Sequence, residues 1–430
     1  MTVRRVAITG FGVIAPLGNS VDELFAQLTA GRSAIRRLAA PWSEGLRSPI
    51  GAPAEFIGAE HFAAARLRML DRVSQLALAA AAQAIADAKL DFATERSDRC
   101  GVSVGSGMGG AESTDEGYKI IYAERSDRVK PYTVLASMTN AAASWIGIDY
   151  GITGPNLTYS TACSSSAVAL GEAARRIRSG DVDVMVAGGA EAPLTFGVLR
   201  AWEAMRTIAS QDVNDPSASC RPFSRTRTGL VLGEGAAFVA LEEWDHAVAR
   251  GARIRAELTG YGLATDVAHI TRPTVAGHAA AMRSALNSAG LDPGAVDYVN
   301  AHGTGTLQND SVETAAIKEI FGARAYSLPV SSTKSMHGHL LGAAGALEFV
   351  IAVASLERGV VPPTMHLDSP DPACDLDYVA GCARTGVGMR AVMSNSFAFG
   401  GTNAVLIAET ADSQLRRHSP PKPLPMRLRG

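Results

Sequence analysis

Three residues of this chain have the types that acyl chemistry needs. Cys163 lies in Asn156-Leu157-Thr158-Tyr159-Ser160-Thr161-Ala162-Cys163-Ser164-Ser165-Ser166, where a strand-like run passes through small residues into a helical pattern. A thiol at such a corner faces the unpaired N–H groups and positive end of the helix, which favour the thiolate, the form that attacks carbon. Locally the same pattern also suits a small, inert Cys packed under a helix, so both readings stay open at this level. His302 follows a strand-like run in Val299-Asn300-Ala301-His302-Gly303-Thr304-Gly305-Thr306, and His339 lies in Ser332-Thr333-Lys334-Ser335-Met336-His337-Gly338-His339. One nucleophile and two N–H donors form a set for acyl transfer: the thiol takes the acyl group, and the donors hold an oxygen that gains charge. A fourth segment, Met393 to Asn403, carries Gly400-Gly401, which lets backbone approach a ligand and equally suits a plain turn between strands.

The elements that must position these groups alternate between strand-like and helix-like text, which specifies an α/β class. Helical spacing is clear over 71–90 and 274–289. Two runs, 183–191 and 235–242, read as strands apolar on both faces. Arg5 to Gly12 reads as a strand ending in a Gly turn, and Arg255 to Gly262 repeats it. The Cys163 segment, 156–180, is strand, small-residue turn, long helix and Ser179-Gly180; segment 327–359 follows the same plan and ends on Arg358-Gly359. Two echoes in one order predict two similar halves, 1–250 and 251–410, followed by a Pro-rich basic tail, 411–430. The pseudo-symmetry would place Cys163 and His339 at matched corners facing a shared centre, with His302 reaching in from a neighbouring loop.

Composition narrows the function classes. The chain has 430 residues, 47% of them apolar and 19% charged, with a formal net charge of -2, so nothing global points to nucleic acid or an anionic membrane. No apolar run is long enough to span a bilayer, and Met1 to Val6 contains no apolar signal core. Five scattered Cys without a CxxC pair argue for a reducing compartment, hence the cytoplasm, and against a disulfide framework or structural zinc. Gly105-Ser106-Gly107-Met108-Gly109-Gly110 lacks the context of a dinucleotide loop, and no Walker-type phosphate loop is present.

Taken together, Thr161-Ala162-Cys163-Ser164-Ser165, Asn300-Ala301-His302-Gly303-Thr304-Gly305-Thr306, Ser332-Thr333-Lys334-Ser335 with Gly338-His339, and Asn395-Ser396-Phe397 with Phe399-Gly400-Gly401-Thr402-Asn403 resemble the β-ketoacyl-acyl carrier protein synthases, most closely the synthase II type. The resemblance spans about 1–410. It implies the thiolase fold, a duplicated α-β-α-β-α layered core, and a dimer formed across the nucleophile half, either a homodimer or a heterodimer with a synthase-like partner. It implies no cofactor, since substrates arrive on the phosphopantetheine of acyl carrier protein.

Residue by residue, the resemblance implies that Cys163 takes an acyl group from the carrier, with its own N–H and that of Phe399 as oxyanion hole. His302 and His339 would bind the malonyl thioester carbonyl, and Lys334, tied to Glu348, would orient them. Thr304 and Thr306 match positions that bind the pantetheine arm, while Phe399 and Gly400 belong to the gate loop. Met108 and Trp202 match acyl-pocket walls, positions that core packing explains as well. Asn300, Glu348 and Asn395 lie where some relatives hold a monovalent cation. Carrier proteins are acidic, so Arg66, Arg68, Arg128, Lys130 and Arg206 are docking candidates, each equally an ordinary solvated charge.

Three departures stand out: Ala398 replaces a common Gly of the gate loop, His337 replaces a common Thr, and the Ser164–Ser166 run looks like polyketide-type synthases. The departures favour a specialised lipid or polyketide role over primary fatty-acid elongation. The resemblance leaves one rival, a non-catalytic chain-length partner, which usually lacks the nucleophile. A thiolase would need a second Cys in the last glycine-rich loop, which here has none.

Overall fold

The computed structural model describes residues 4–411, so the tail 411–430 lies outside the described residues apart from its first position. Ten strands form one sheet: β1 Val6–Ile14, β2 Cys100–Gly105, β3 Asn156–Tyr159, β4 Val184–Glu191, β5 Gly235–Glu243, β6 Ala256–Thr265, β7 Tyr298–Asn300, β8 Val330–Ser331, β9 Ala391–Phe397 and β10 Thr402–Glu409. Their order is β8-β7-β9-β10-β6-β1-β5-β4-β2-β3. Read outward from the centre, the order is the same on both sides: β1-β5-β4-β2-β3 and β6-β10-β9-β7-β8. Orientations match too, with antiparallel pairing in the inner three strands and parallel pairing in the outer three. Only two residue pairs, Ala7↔Glu257 and Ile8↔Ala256, join the two halves at β1 and β6.

Five helices build the layers around this sheet: α1 Arg72–Ala88, α2 Ser165–Ser179, α3 Val275–Ala289, α4 Leu307–Phe321 and α5 Ala344–Arg358. Three apolar clusters follow from them. One joins α1 to the outer face of the first half, one joins α3 and α4 to the outer face of the second, and the largest surrounds α2 and α5 between the two sheet halves. The result is the layered α-β-α-β-α core. Residues 344 to 356 of α5 are all buried, which explains an Ala/Leu-rich helix with no polar face.

The paired Gly-x-Gly echoes have a cause different from the turn expected. β1 runs straight through Gly10 and Gly12 to Ile14. A Cβ on Gly12 would stand 1.8 Å from the Ala80 carbonyl of α1, and one on Gly262 would stand 2.1 Å from the Ala281 carbonyl of α3. The glycines therefore let each outer helix lie directly on its strand. The other echo marks helix ends: Gly180 and Gly359 close α2 and α5 in the left-handed conformation.

Candidate active site

Cys163 is displayed by a short 3-10 turn, Ala162–Ser164, between β3 and α2. Ala162 enters that turn at φ 51°, a left-handed conformation that costs energy for a residue with a Cβ. The serines hold it there. Thr161 N donates to Ser165 Oγ at 2.9 Å, Ser165 Oγ donates to the Ala162 carbonyl at 2.6 Å, and Ser164 Oγ donates to the Thr161 carbonyl at 2.9 Å. Ser166 Oγ accepts from Ala346 N at 2.8 Å, capping α5 from the opposite half. The Ser run thus has a structural cause in this chain and points away from the pocket.

The thiolate expectation does not survive folding. Cys163 is buried, and burial pushes its thiol up to about 12, against the opposing pull of the Lys334 ammonium and the Phe399 backbone N–H. Desolvation outweighs the helix end, so the resting group is a neutral thiol. Cys163 Sγ and ring nitrogens of His302 and His339 all lie within 4.8 Å of one another. The two imidazoles meet edge to face, with centroids 5.4 Å apart and planes at 84°.

Each His is aimed through its backbone. His302 N and Gly303 N donate to the two carboxylate oxygens of Glu313 on α4, both at 2.8 Å. Lys334 Nζ donates to the His302 carbonyl at 2.6 Å and pairs with Glu348, and both of these side chains are fully buried. His339 N donates to the Val231 carbonyl at 2.7 Å, and Gly233 N returns a bond to the His339 carbonyl at 2.9 Å. His302 Nδ1 and both ring nitrogens of His339 have no hydrogen-bond partner. Burial first and then Lys334 hold both rings well below the ordinary histidine range, so they are neutral, and each carries one N–H.

A cavity of about 340 Å³ is lined by Cys163, His302, His339, Thr304, Thr306, Trp202, Arg206, Ala398 and Phe399, among others. Thr304 and Thr306 share a hydroxyl–hydroxyl bond of 3.0 Å, and Thr306 also caps α4 by accepting from Asn309 N. Trp202, on the helix Phe196–Ala204, stacks on Phe399 at 6.0 Å. Gly400 and Gly401 adopt φ 84° and 80°, while Ala398 keeps a negative φ, so its Cβ costs the gate loop no strain. His337 is tied between the Gly338 carbonyl, 2.7 Å, and Thr333 Oγ1, 2.9 Å; burial pushes it down to about 3, so it does not titrate beside His339.

Other expected residues fall elsewhere. His339 does not occupy the corner matching Cys163. In the second half the matching turn is Leu341–Ala343, entered by Leu341 at φ 44°, and its central residue is Gly342. Met108 is 38% exposed and does not line the cavity. Arg68 and Lys130 flank a second cavity, Arg128 is exposed, Arg206 lies at the mouth of the first, and Arg66 is already paired with Asp149. Asn300 Oδ1 and Asn395 Oδ1 are buried without a partner, while Glu348 already holds the Lys334 ammonium. Among the described residues, only Cys163, His302 and His339 bring three metal-ligating side chains together, and the buried Lys334 charge beside them opposes a cation there.

Sequence reading missed two acids that frame the site. Glu313 fixes the His302 loop. Glu191, at the end of β4, accepts from Gly107 N at 2.6 Å, Met108 N at 3.0 Å, Ser106 Oγ at 3.2 Å and Gly342 N at 2.9 Å. It therefore joins the small-residue loop after β2 to the turn after His339. The one available signal was an acid at the end of an otherwise apolar, doubly buried strand.

Two family models match the chain: "Beta-ketoacyl synthase, N-terminal domain" over residues 3–247 and "Beta-ketoacyl synthase, C-terminal domain" over 255–368. Nodulation protein E of Rhizobium meliloti (strain 1021) is 44% identical over 403 residues, covering 94% of this chain and 98% of that protein. 3-Oxoacyl-[acyl-carrier-protein] synthase 2 of Coxiella burnetii is 40% identical over 410 residues, 95% of this chain and 99% of the relative. Among solved structures, the ishigamide ketosynthase/chain length factor aligns with a TM-score of 0.89 at 34% identity, covering 95% of this chain and all of the other.

Proposed function

The chain belongs to the β-ketoacyl synthase family and is a β-ketoacyl-acyl carrier protein synthase, and from that premise we propose how its own residues carry the condensation. The observation that carries the assignment is the trio Cys163, His302 and His339, with reacting atoms within 4.8 Å. The acyl thioester of a carrier enters past Thr304 and Thr306, which bind the pantetheine arm. Cys163 Sγ attacks the thioester carbon, and the oxyanion is held by the N–H groups of Cys163 and Phe399. The C–S bond to pantetheine then breaks, and the thiol proton passes to the departing pantetheine sulfur, so the transfer needs no net acid or base. A neutral histidine beside the thiol can relay that proton.

Malonyl-carrier then places its thioester carbonyl against the N–H groups of His302 and His339. The malonyl C–C bond breaks, carbon dioxide leaves, and the electron pair becomes an enolate held by the two donors in a dry site. The enolate carbon attacks the acyl-Cys163 carbonyl and the C–S bond breaks; the β-ketoacyl-carrier departs, carbon dioxide has carried away no charge, and the Cys163 thiolate takes up one proton from solvent to restore the neutral thiol. Burial keeps both imidazoles neutral, and Lys334, paired with Glu348, adds to that and fixes the His302 backbone. Trp202 and Phe399 form the gate-side wall of the acyl site, with Gly400 as the hinge.

The remaining surface is proposed for partners. Arg68, Arg128 and Lys130 on one flank, with Arg206 at the mouth, suit an acidic acyl carrier protein, whereas Arg66 serves the fold through Asp149. β3 ends the sheet, Ile148 lies on the helix Ala141–Tyr150 that packs against it, and Tyr122, Val134 and Ile148 are 75%, 73% and 67% exposed, so a second copy or a synthase-like chain docks there. All five Cys are unpaired, which supports a cytoplasmic location, and no described helix is long and apolar enough to cross a membrane. The chain is 44% identical to Nodulation protein E against 40% to 3-oxoacyl-[acyl-carrier-protein] synthase 2, which supports a role outside primary fatty-acid elongation. The intact trio argues against a purely non-catalytic partner.

The test is direct. Purified protein given octanoyl-carrier and malonyl-carrier forms the β-ketoacyl-carrier, read by mass spectrometry of the carrier. Normal condensation by the Cys163→Ala protein would sink the assignment.

A further inference from the structure

Four rings stand in a row beside the cavity. His278, in the first turns of α3, lies face to face on Phe397, with centroids 3.6 Å apart and planes 12° apart. Phe397 meets His302 edge-on at 6.0 Å and 67°, and His302 meets His339. The last two rings carry chemistry, whereas the first two have no part assigned so far.

The position of Phe397 makes the stack consequential. It is the last residue of β9 and directly precedes the gate loop, 398–401. At the far end of that loop, Asp266 N donates to the Gly401 carbonyl at 2.8 Å. Asp266 Oδ2 in turn accepts from Thr274 N at 2.6 Å, and Thr274 caps α3 by accepting from Gly277 N at 3.1 Å. Both ends of the gate are thus moored to the start of one helix, one through Asp266 and the other through the His278–Phe397 stack.

His278 is also an odd choice for mere packing. It is 1% exposed, lines the catalytic cavity, and leaves Nδ1 without a hydrogen-bond partner. An apolar side chain would avoid that cost. Asp266 does not relieve it, since its carboxylate accepts from Ala268 N and Thr274 N instead. Burial pushes the ring down to about 3, so the stack is between neutral rings.

We propose that His278 is a positioning residue for the malonyl half-reaction: it fixes the ring plane of Phe397, and Phe397 sets the orientation of His302, while the gate loop that carries the Phe399 N–H keeps its own mooring through Asp266. This rests on the assignment of His302 and His339 to the malonyl thioester.

The experiment separates the two half-reactions in intact protein. Acylation of Cys163 by octanoyl-carrier is followed by protein mass spectrometry, and decarboxylation of malonyl-carrier by release of carbon dioxide. His278→Ala is expected to lower the decarboxylation kcat about tenfold, as a small misplacement of a donor does, with KM and Cys163 acylation within about twofold of wild type. His278→Phe, which keeps a flat ring for the stack, is expected to restore decarboxylation. Wild-type decarboxylation in His278→Ala overturns the proposal. So does equal loss of both half-reactions in both variants, which would make His278 a packing residue. Failure of the unaltered protein to decarboxylate malonyl-carrier would count against the His302–His339 assignment instead.

Discussion

The turn Ala162–Ser164 and the turn Leu341–Ala343 are the same backbone put to opposite uses. Each is three residues long, is entered by a non-glycine residue in the left-handed region, leads directly into a fifteen-residue helix, and that helix is closed by glycine. The central residue is Cys163 in one and Gly342 in the other. Beside Cys163 there is a cavity. At Gly342 a Cβ would lie 2.4 Å from Gly107 N and 2.5 Å from Glu191 Oε2. One copy displays a thiol, and the other gives up its side chain so that the halves can interlock. The contrast continues down the helices. Ser166 carries a hydroxyl that accepts from Ala346 N, while its counterpart Gly345 has backbone of the opposite helix 2.8 Å from where a Cβ would stand. Glu348, paired with Lys334, takes the place that Ala169 occupies in α2. A duplicated frame thus supplies symmetry, and function resides in the positions that break it.

Substitutions at matched positions should therefore have unmatched effects. The largest is expected at the nucleophile: Cys163→Ala lowers condensation by on the order of 10³-fold or more while leaving the denaturation midpoint nearly unchanged. Lys334→Ala strands Glu348 as a buried charge and costs roughly 3–5 kcal/mol in chemical denaturation, a loss that Lys334→Met combined with Glu348→Gln largely recovers. If Lys334→Ala proves neutral, Glu348 is not held as a buried ion by Lys334.

Gly342→Ala comes next, at roughly 1–3 kcal/mol from forcing a Cβ into the Glu191 contact, again by chemical denaturation. An unchanged midpoint would show that the interlock is loose. Acid sensitivity should also reside in the second half. His337 is held down to about 3, so the unfolded chain binds its proton more readily, and its contribution is lost as pH falls below about 6.5. The stability advantage of wild type over His337→Asn should then shrink by about 1.4 kcal/mol per pH unit between pH 6 and 5. Buried Glu191 and Glu348, pushed up to about 7, act in the opposite direction but are common to both proteins and cancel in the difference. The smallest effect is Ser166→Ala, about 1 kcal/mol for the missing cap on α5, with condensation unaffected. A changed acyl-chain preference in that variant would return the Ser run to the substrate side.

Legibility varied with the range of the interaction. Cys163, His302 and His339 could be named because each lies in a short run of small or polar residues readable along the chain, whereas Lys334 was named only through the resemblance of its motif to the family. Glu313 and Glu191 escaped notice because their partners are backbone N–H groups on other elements, in the case of Gly342 151 residues away. His278 escaped because, within its own helix, it is one of several polar residues and nothing local marks it, and only folding stacks it on Phe397.

By itself the sequence determined the duplicated plan and the reactive residue types, because strand and helix periodicity and local turn chemistry are properties of neighbouring residues. Only the tertiary structure decided the protonation state of Cys163 and the histidines, since desolvation depends on what closes over a group after folding. It also decided why Gly10, Gly12, Gly260 and Gly262 are glycine, and which corner matches Cys163. These depend on backbone from distant segments coming within contact distance, which no local pattern records.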